Sequence, residues 1–383
     1  MIKANVQSHN PIISWYKYWA ERSPEHIAIN SYSRKITYRE LYKLITTHTE
    51  SLSNINSIKP HKVIIENKDD TIEWFLALLY SLNVGHQVIL PDTDWTDKDR
   101  NNHIKNISPT MTVMWQQENN RYTTNLINDN NSGLHPAGIW LFTSGTTQSP
   151  RAIFRSCDDI SHMVSKLTES YPESLRKEKP TVVSPASLSH GFALINALFL
   201  THSLGGTLII PPPEERLLDT LQYYQANRLF AWPAHYRSLL YELKNTPTKL
   251  SNLTWCISSS FPANTDIFKQ LSTYLDIPIR QQYGMTETGP LCINAEDEYI
   301  ESINCVGKPL SGVTFLIVDN EGNQIENNQS GNITVKMDYY SPKELTSASE
   351  NFFHTGDTGS LDDSGRLYIL GRNIPFTDER REM

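Results

Sequence analysis

Over most of the first 290 residues, short apolar runs alternate with stretches whose apolar residues recur at helical spacing. Lys62-Val63-Ile64-Ile65, Gln87-Val88-Ile89-Leu90, Met111 to Trp115, Gly138 to Phe142, Thr181 to Ser184 and Gly206 to Ile210 read as strands. Between them, Trp74, Leu78, Leu79 and Leu82 mark a helix that Asp70 and Glu73 open and Gly85 stops, and further helices are predicted over Asp159 to Glu169 and near Phe192 to His202. Upstream, Ile13 to Trp19 predicts an amphipathic helix, and Thr37 with Glu40 forms a capping-box spacing ahead of Leu41, Leu44 and Ile45. A second run repeats the rhythm. It has Leu229-Phe230-Ala231, a helix through Tyr236, Leu239, Leu240 and Leu243, the strand Thr254-Trp255-Cys256-Ile257, and a helix through Ile267, Phe268 and Leu271. Strand and helix in alternation predict layered, mostly parallel sheets. Past Pro290 the texture changes to short alternating segments, Thr314 to Val318, Asn332 to Lys336 and Leu367 to Leu370, separated by Asp319-Asn320-Glu321-Gly322 and Asp362-Asp363-Ser364-Gly365 turns. That pattern predicts an antiparallel unit.

At 383 residues the chain can bury a large core. Its formal net charge of −8, with Lys and Arg scattered apart from the region Arg372 to Arg381, argues against a nucleic acid or a membrane surface as partner. The four cysteines, Cys157, Cys256, Cys292 and Cys305, have neither CxxC spacing nor a companion histidine pattern, so reduced thiols are expected rather than a zinc site or disulfides. The residues Met1 to Gln7 lack the apolar core of a signal peptide, and the most apolar stretch, Phe192 to Leu200, is too short to span a bilayer. A soluble, cytoplasmic protein is expected.

Candidate chemistry gathers at strand ends, where α/β folds place ligands. The strand ending Ile139-Trp140-Leu141-Phe142 opens at once into Thr143-Ser144-Gly145-Thr146-Thr147, followed by Gln148-Ser149-Pro150-Arg151. Glycine lets backbone N–H groups turn toward an anion, the hydroxyls add donors, and Arg151 adds a fixed positive charge. The same residues also suit a plain surface turn, and they lack the second glycine and Lys-Ser/Thr of a P-loop. Ser187-Leu188-Ser189-His190-Gly191-Phe192 places a histidine after a strand, as a site residue or as a satisfied structural one. Ser258-Ser259-Ser260 either reads a purine edge or caps the next helix. Gln281-Gln282-Tyr283-Gly284-Met285-Thr286-Glu287 packs a stacking aromatic, a hydroxyl and a carboxylate able to hold Mg²⁺ into what reads as one loop. Thr355-Gly356-Asp357 offers a carboxylate for the two hydroxyls of a ribose, or simply turns a corner. No Gly-x-Ser-x-Gly occurs, and Ser174-Leu175-Arg176-Lys177 lacks the companion motifs of a Ser-x-x-Lys enzyme.

Taken in order, these stretches resemble the adenylate-forming ligases, the superfamily of acyl-CoA synthetases, peptide-synthetase adenylation domains and luciferase. Thr143 to Thr147 looks like the family's phosphate loop, Tyr283-Gly284-Met285-Thr286-Glu287 its Tyr-Gly-x-Thr-Glu motif, and Thr355-Gly356-Asp357 its ribose motif. Thr37-Tyr38-Arg39-Glu40-Leu41, Val306-Gly307-Lys308-Pro309 and Gly371-Arg372 are supporting matches, so the resemblance covers essentially the whole chain. It implies the large N-terminal core of these ligases: an α/β fold with two layered, mostly parallel sheet subdomains over about residues 1–290, a smaller antiparallel β-barrel-like one over about 291–371, and a hinge remnant over 372–383. It further implies ATP with Mg²⁺, Glu287 as metal ligand, Thr286 on the α-phosphate, Tyr283 against the adenine, Gln282, Ser259 and Ser260 at the nucleotide, and Asp357 with Arg372 on the ribose. His190 would help shape the acid pocket. The implied activity is ATP-dependent activation of a carboxylic acid as its acyl-adenylate, with CoA or a carrier-protein thiol as acceptor.

Departures from the family pattern shape further expectations. Gln148-Ser149-Pro150-Arg151-Ala152 stands where the family continues Gly-x-Pro-Lys-Gly, so charge is kept and two glycines are lost. Asn332 replaces the glutamate of the Gly-Glu-(Ile/Leu) segment, and Ile374 or Pro375 replaces the acid or lysine of the hinge. The C-terminal domain, with its catalytic lysine, has no counterpart up to Met383; a core of this kind is expected to bind ATP with slow or undetectable acyl-AMP formation and no efficient thioester formation unless that domain is supplied in trans. The alternative is a non-catalytic core keeping nucleotide or acyl affinity in a regulatory role. Amino-acid-activating relatives place an aspartate in the segment matching Ser189 to Phe192, and no acid stands there; a fatty, short acyl or aryl acid without an α-amino group is therefore expected.

Overall fold

The computed structural model describes residues 10–52, 60–65, 71–91, 95–116, 121–127, 136–143, 150–212, 214–260, 264–295, 304–338 and 352–372. They divide into two compact units: unit 1 runs to Ser165 and takes in Lys177–Phe230, and unit 2 comprises Lys166–Arg176 and the described residues from Ala231 on.

Unit 1 contains two sheets. The strands are β1 (Ile27–Ser31), β2 (Lys35–Thr37), β3 (Lys62–Ile65), β4 (Gln87–Ile89), β5 (Met111–Gln116), β6 (Arg121–Leu126), β7 (Gly138–Phe142), β8 (Ala152–Ser156), β9 (Thr181–Val183), β10 (Thr207–Ile210) and β11 (Arg228–Ala231). One sheet has the order β6-β5-β3-β4-β7-β8, parallel through its four central strands and closed by antiparallel edges at β6 and β8. In the other, β11, β9, β10 and β1 run parallel and β2 turns back along β1. Parallel strands are covered on both faces, which is why β4 and β10 are buried at every position, the polar Gln87 and Thr207 included.

The helices follow the expected punctuation. Thr71–Val84 buries Phe75, Leu78, Leu79 and Leu82 and ends at Gly85, whose φ of +95° no side-chain-bearing residue adopts easily. At the start of Tyr38–Leu52 the capping box is formed as the spacing predicts: Thr37 N donates to Glu40 Oε2 at 2.9 Å and Glu40 N to Thr37 Oγ1 at 3.2 Å. The predicted helix near Phe192 to His202 spans 191–203, with Leu194–Leu200 wound as a π-helix. Its His202 is fully buried; Nε2 donates to Ala28 O at 3.1 Å, and Nδ1 accepts from the Tyr16 hydroxyl at 2.9 Å. This ties the Pro11–Arg22 helix, β1 and the 191–203 helix together inside the unit.

Unit 2 holds β12 (Trp255–Ser258), β13 (Ile279–Met285), β14 (Gly289–Ile293), β15 (Cys305–Pro309), β16 (Val313–Val318), β17 (Gly331–Met337), β18 (Phe353–Leu361) and β19 (Leu367–Arg372). Their order is β12-β13-β14-β15-β19-β18-β17-β16; β12 and β13 are parallel, and every later pairing is antiparallel. Among its helices are Pro233–Asn245, anchored by Tyr236 through a 2.9 Å hydrogen bond to Ile257 O, and Thr265–Leu275, capped by Asn264. All four cysteines are free and buried. Among the described residues no helix is long and apolar enough to cross a membrane.

Candidate functional site

In unit 2 the chemistry-bearing residues sit on β13, on the turn after it, and on β18 and β19. β12 is buried throughout and ends at Ser258, paired in register with Gln281 of β13. Ser259 is buried, whereas Ser260 is exposed with a left-handed φ of 76°, an uncommon backbone state for serine. Beyond Gln281, Gln282 is buried, and its Oε1 has no hydrogen-bond partner among the described residues. The segment expected as one loop is instead a strand and a turn: Tyr283, Gly284 and Met285 extend β13 and pair with β14, leaving Thr286, Glu287 and Thr288 to reverse the chain. Gly284 permits this because a Cβ there would run into the backbone of Gly289 and Pro290.

Opposite this hairpin lies the stretch expected as a tight turn, which is the middle of the nine-residue strand β18. Thr355 Oγ1 donates to Ile333 O at 3.0 Å and accepts from the Asp357 amide at 3.1 Å, so the backbone at Asp357 is fixed from within the sheet. Gly356 between them has φ +77°. The Asp357 carboxyl is then held from two sides. Tyr283 Oη donates to Oδ2 at 2.6 Å, and Arg372, its cross-strand partner on β19, brings Nε to 3.8 Å from Oδ1. The two contacts are unequal. The first is short and charge-assisted, while the second is long and made by a side chain that is 62% exposed, a geometry worth little by itself.

Electrostatics follow from this packing. Burial pushes the Asp357 pKa up and nearby Glu287 pushes it further, against the opposing pull of the Tyr283 hydrogen bond and of Arg372. Burial, reinforced by the Asp357 charge, lifts the Tyr283 phenol well above its usual value, so it stays a donor throughout the physiological range. Glu287 is only 6% exposed although it sits in a turn. Two carboxyls thus stand in one region: Asp357, with one oxygen engaged by a phenol, and Glu287. Among the described residues no group of three His, Cys, Asp or Glu side chains could hold a metal. A donor set of one carboxylate suits Mg²⁺, which takes one or two protein carboxylates and completes its shell with phosphate oxygens and water.

Unit 1 carries the remaining candidates. Thr143 closes β7: its amide donates to Arg151 O at 3.0 Å, and its Oγ1 accepts from the Arg151 amide at 3.0 Å. This pair ties Thr143 to Arg151, and Arg151 is exposed. Ser144, Gly145, Thr146 and Thr147 lie outside the described residues. His190 precedes the 191–203 helix, donating its amide to Ser187 O at 3.0 Å and accepting from Leu194 N at 2.9 Å. A Cβ on Gly191 would lie 3.6 Å from Leu141 of β7, so the histidine segment borders the strand that ends beside Thr143.

The sequence singles out Tyr283, Glu287, Asp357 and Arg372 but not the bond between Tyr283 and Asp357, which are 74 residues apart. Nor does it assign a role to Thr355. Both depend on the register of β18, and the Thr-Gly-Asp triplet was the one available signal.

The family model for AMP-binding enzymes matches residues 116–341. The mitochondrial acyl-coenzyme A synthetase ACSM4 of Rattus norvegicus is 27% identical over 254 residues, covering 62% of this chain and 43% of that protein. The chain therefore spans less than half the length of that relative. The 2-succinylbenzoate–CoA ligase of Bacillus cytotoxicus is 23% identical over 383 residues, 94% of this chain and 78% of that enzyme. Among solved structures, O-succinylbenzoate coenzyme A synthetase (MenE) from Bacillus subtilis in complex with AMP superposes with a TM-score of 0.76 at 20% identity, covering 94% of this chain and 78% of that one. At that identity the superposition establishes the fold alone.

Proposed function

This chain belongs to the family of AMP-binding enzymes, and from that premise we propose that it binds ATP and activates a carboxylic acid as its acyl-adenylate. The observation that carries the reading is the Asp357 carboxyl, fixed by Tyr283 at 2.6 Å on the strand bearing Thr355-Gly356-Asp357. A positioned carboxylate is an acceptor for the paired hydroxyls of a ribose, and relatives of this chain are CoA ligases.

In this reading each residue has a task. Asp357 and Arg372 hold the ribose, Tyr283 and Gln282 take the base, and Ser259 and Ser260 border it. Thr286 donates to the α-phosphate; Thr143 to Thr147 and Arg151 receive the outer phosphates. A carboxylate oxygen of the acid attacks the α-phosphorus, a new P–O bond forms, and the bond to the pyrophosphate leaving group breaks. Donors and positive charge aimed at the transferring phosphoryl oxygens lower the barrier. Glu287 would hold Mg²⁺, which supplies charge that offsets that of the phosphates. His190 shapes the acid end. No carboxylate adjoins Gly191, so the acid carries no α-amino group, because an unpaired ammonium is costly to bury. The acceptor of the acyl group is a thiol, of CoA or of a carrier protein, and a small C-terminal domain supplied in cis or in trans would serve that step. The test is acid-dependent exchange of labelled pyrophosphate into ATP over a panel of fatty, short acyl and aryl acids. Exchange with at least one of them is expected once a C-terminal domain borrowed from a related ligase is added, and none with any acid even then would leave a nucleotide-binding core without this activity.

A further inference from the structure

We propose that Tyr283 is a positioning residue for ribose recognition: the hydrogen bond it donates to Asp357 Oδ2 orients the carboxylate so that its other oxygen is presented to a ribose hydroxyl. The inference rests on the ATP-binding reading above and adds to it a task for the phenol hydroxyl that is separate from any contact of its ring with a base.

Three observations carry it. First, the 2.6 Å separation is that of a short, charge-assisted O–H···O bond, whereas Arg372 approaches the other oxygen only to 3.8 Å from a mostly exposed side chain. Of the contacts at Asp357, the one from Tyr283 is thus the one that fixes direction. Second, both ends of the bond are immobilised. Tyr283 lies on β13 with a β14 residue, Cys292, opposite it in register, and the Asp357 amide is tied to Thr355 Oγ1 at 3.1 Å. Third, the carboxyl side chain is only 14% exposed, so little water is available to reorient it or to replace a lost donor. A carboxylate has about four lone-pair directions. With one taken by the phenol, those on Oδ1 remain for a ligand. Glu287, close enough to raise the Asp357 pKa, makes a fixed donor on Oδ2 more valuable, because it favours the ionised, accepting form.

The experiment measures binding of ATP and of 2′,3′-dideoxy-ATP by calorimetry in wild type, Tyr283→Phe, Asp357→Asn and the double variant. Phenylalanine keeps the ring and removes only the hydroxyl. Wild type should bind ATP more tightly than the dideoxy analogue, and Tyr283→Phe should weaken ATP by about tenfold or more, the worth of a hydrogen bond to a charged group. The same variant should leave the dideoxy analogue within about twofold of wild type. In the Asp357→Asn background, adding Tyr283→Phe should change ATP affinity no further, as expected of residues acting as one unit. The inference is overturned if Tyr283→Phe weakens both nucleotides equally, or neither, or if its effect persists unchanged alongside Asp357→Asn. Should Tyr283→Phe not fold, Asp357→Asn keeps the inference falsifiable: an undiminished preference for ATP over the dideoxy analogue in that variant would overturn it. Wild type binding neither nucleotide would instead defeat the ATP-binding reading itself, a different and separately visible outcome.

Discussion

Lowering the pH should destabilise unit 1, and buried His202 should supply a separable part of that loss. His202 is fully buried, and burial lowers its pKa from 6.5 to about 4. Both ring nitrogens are committed. Nε2–H donates to Ala28 O, so Nδ1 is the unprotonated acceptor of the Tyr16 hydroxyl. A second proton would place an imidazolium among the rings of Tyr16, Phe75 and Tyr38, with a donor facing the phenol that was donating to it. Because the folded-state pKa lies below the ordinary one, the neutral ring contributes its full stability above 6.5, and that stability is lost as the pH falls toward 4. Linkage over this window gives a loss of about 2 kcal/mol at about pH 5 and about 3 kcal/mol at about pH 4. The assay is urea unfolding followed by tryptophan fluorescence at about pH 7.5 and about pH 5, in wild type and in His202→Gln, which has no ring to protonate. The variant should be less stable at the higher pH by about 1–3 kcal/mol, since it leaves buried groups unpaired. It should also lose about 2 kcal/mol less than wild type on acidification. His86, whose pKa burial and His61 lower to about 3, acts in the same direction and cancels in the comparison. Equal acid losses in the two proteins would refute the reasoning.

Three further outcomes are expected. Glu287→Gln should abolish Mg²⁺-dependent turnover while leaving the melting temperature within a few degrees of wild type, measured by exchange assay and thermal denaturation; full activity would remove Glu287 from the site. Gly284→Ala should destabilise unit 2 by about 1–3 kcal/mol and weaken ATP binding, because the new methyl meets the backbone of Gly289 and Pro290 rather than a side chain that can yield; unfolding and calorimetry report both. Exchange should proceed with simple acids and not with proteinogenic amino acids, and the reverse selectivity would overturn the reading of the segment around Gly191.

The fold was legible wherever a strand is buried on both faces or a helix has clear punctuation. The runs Val63-Ile64-Ile65 and Gln87-Val88-Ile89, the stop at Gly85 and the Thr37–Glu40 box all declare themselves locally. Edge strands did not. β6 is mostly polar, and β8 breaks off into Arg155-Ser156 after only three apolar residues, so neither shows a long apolar run; their pairing with β5 and β7 is set by the neighbouring strands. The hairpin after Gln282 was hidden for the opposite reason, since Tyr283-Gly284-Met285-Thr286-Glu287 looks like loop chemistry while Gly284 in fact lets two strands approach closely. At the candidate site the residue types were visible and their partnership was not. Register across β17, β18 and β19 puts Asp357 opposite Arg372, and no local spacing encodes the reach from Tyr283.

The central claim is that a carboxylate oxygen attacks the α-phosphorus of ATP, and oxygen labelling tests that directly. The protein is incubated with ATP, Mg²⁺ and an ¹⁸O-carboxyl-labelled acid that supports exchange, the activated acyl group is trapped with hydroxylamine, and the nucleotide and phosphate products are analysed by mass spectrometry. The account predicts AMP carrying one ¹⁸O atom, with unlabelled pyrophosphate. Label in inorganic phosphate alongside ADP would place the attack at the terminal phosphorus instead and would contradict it.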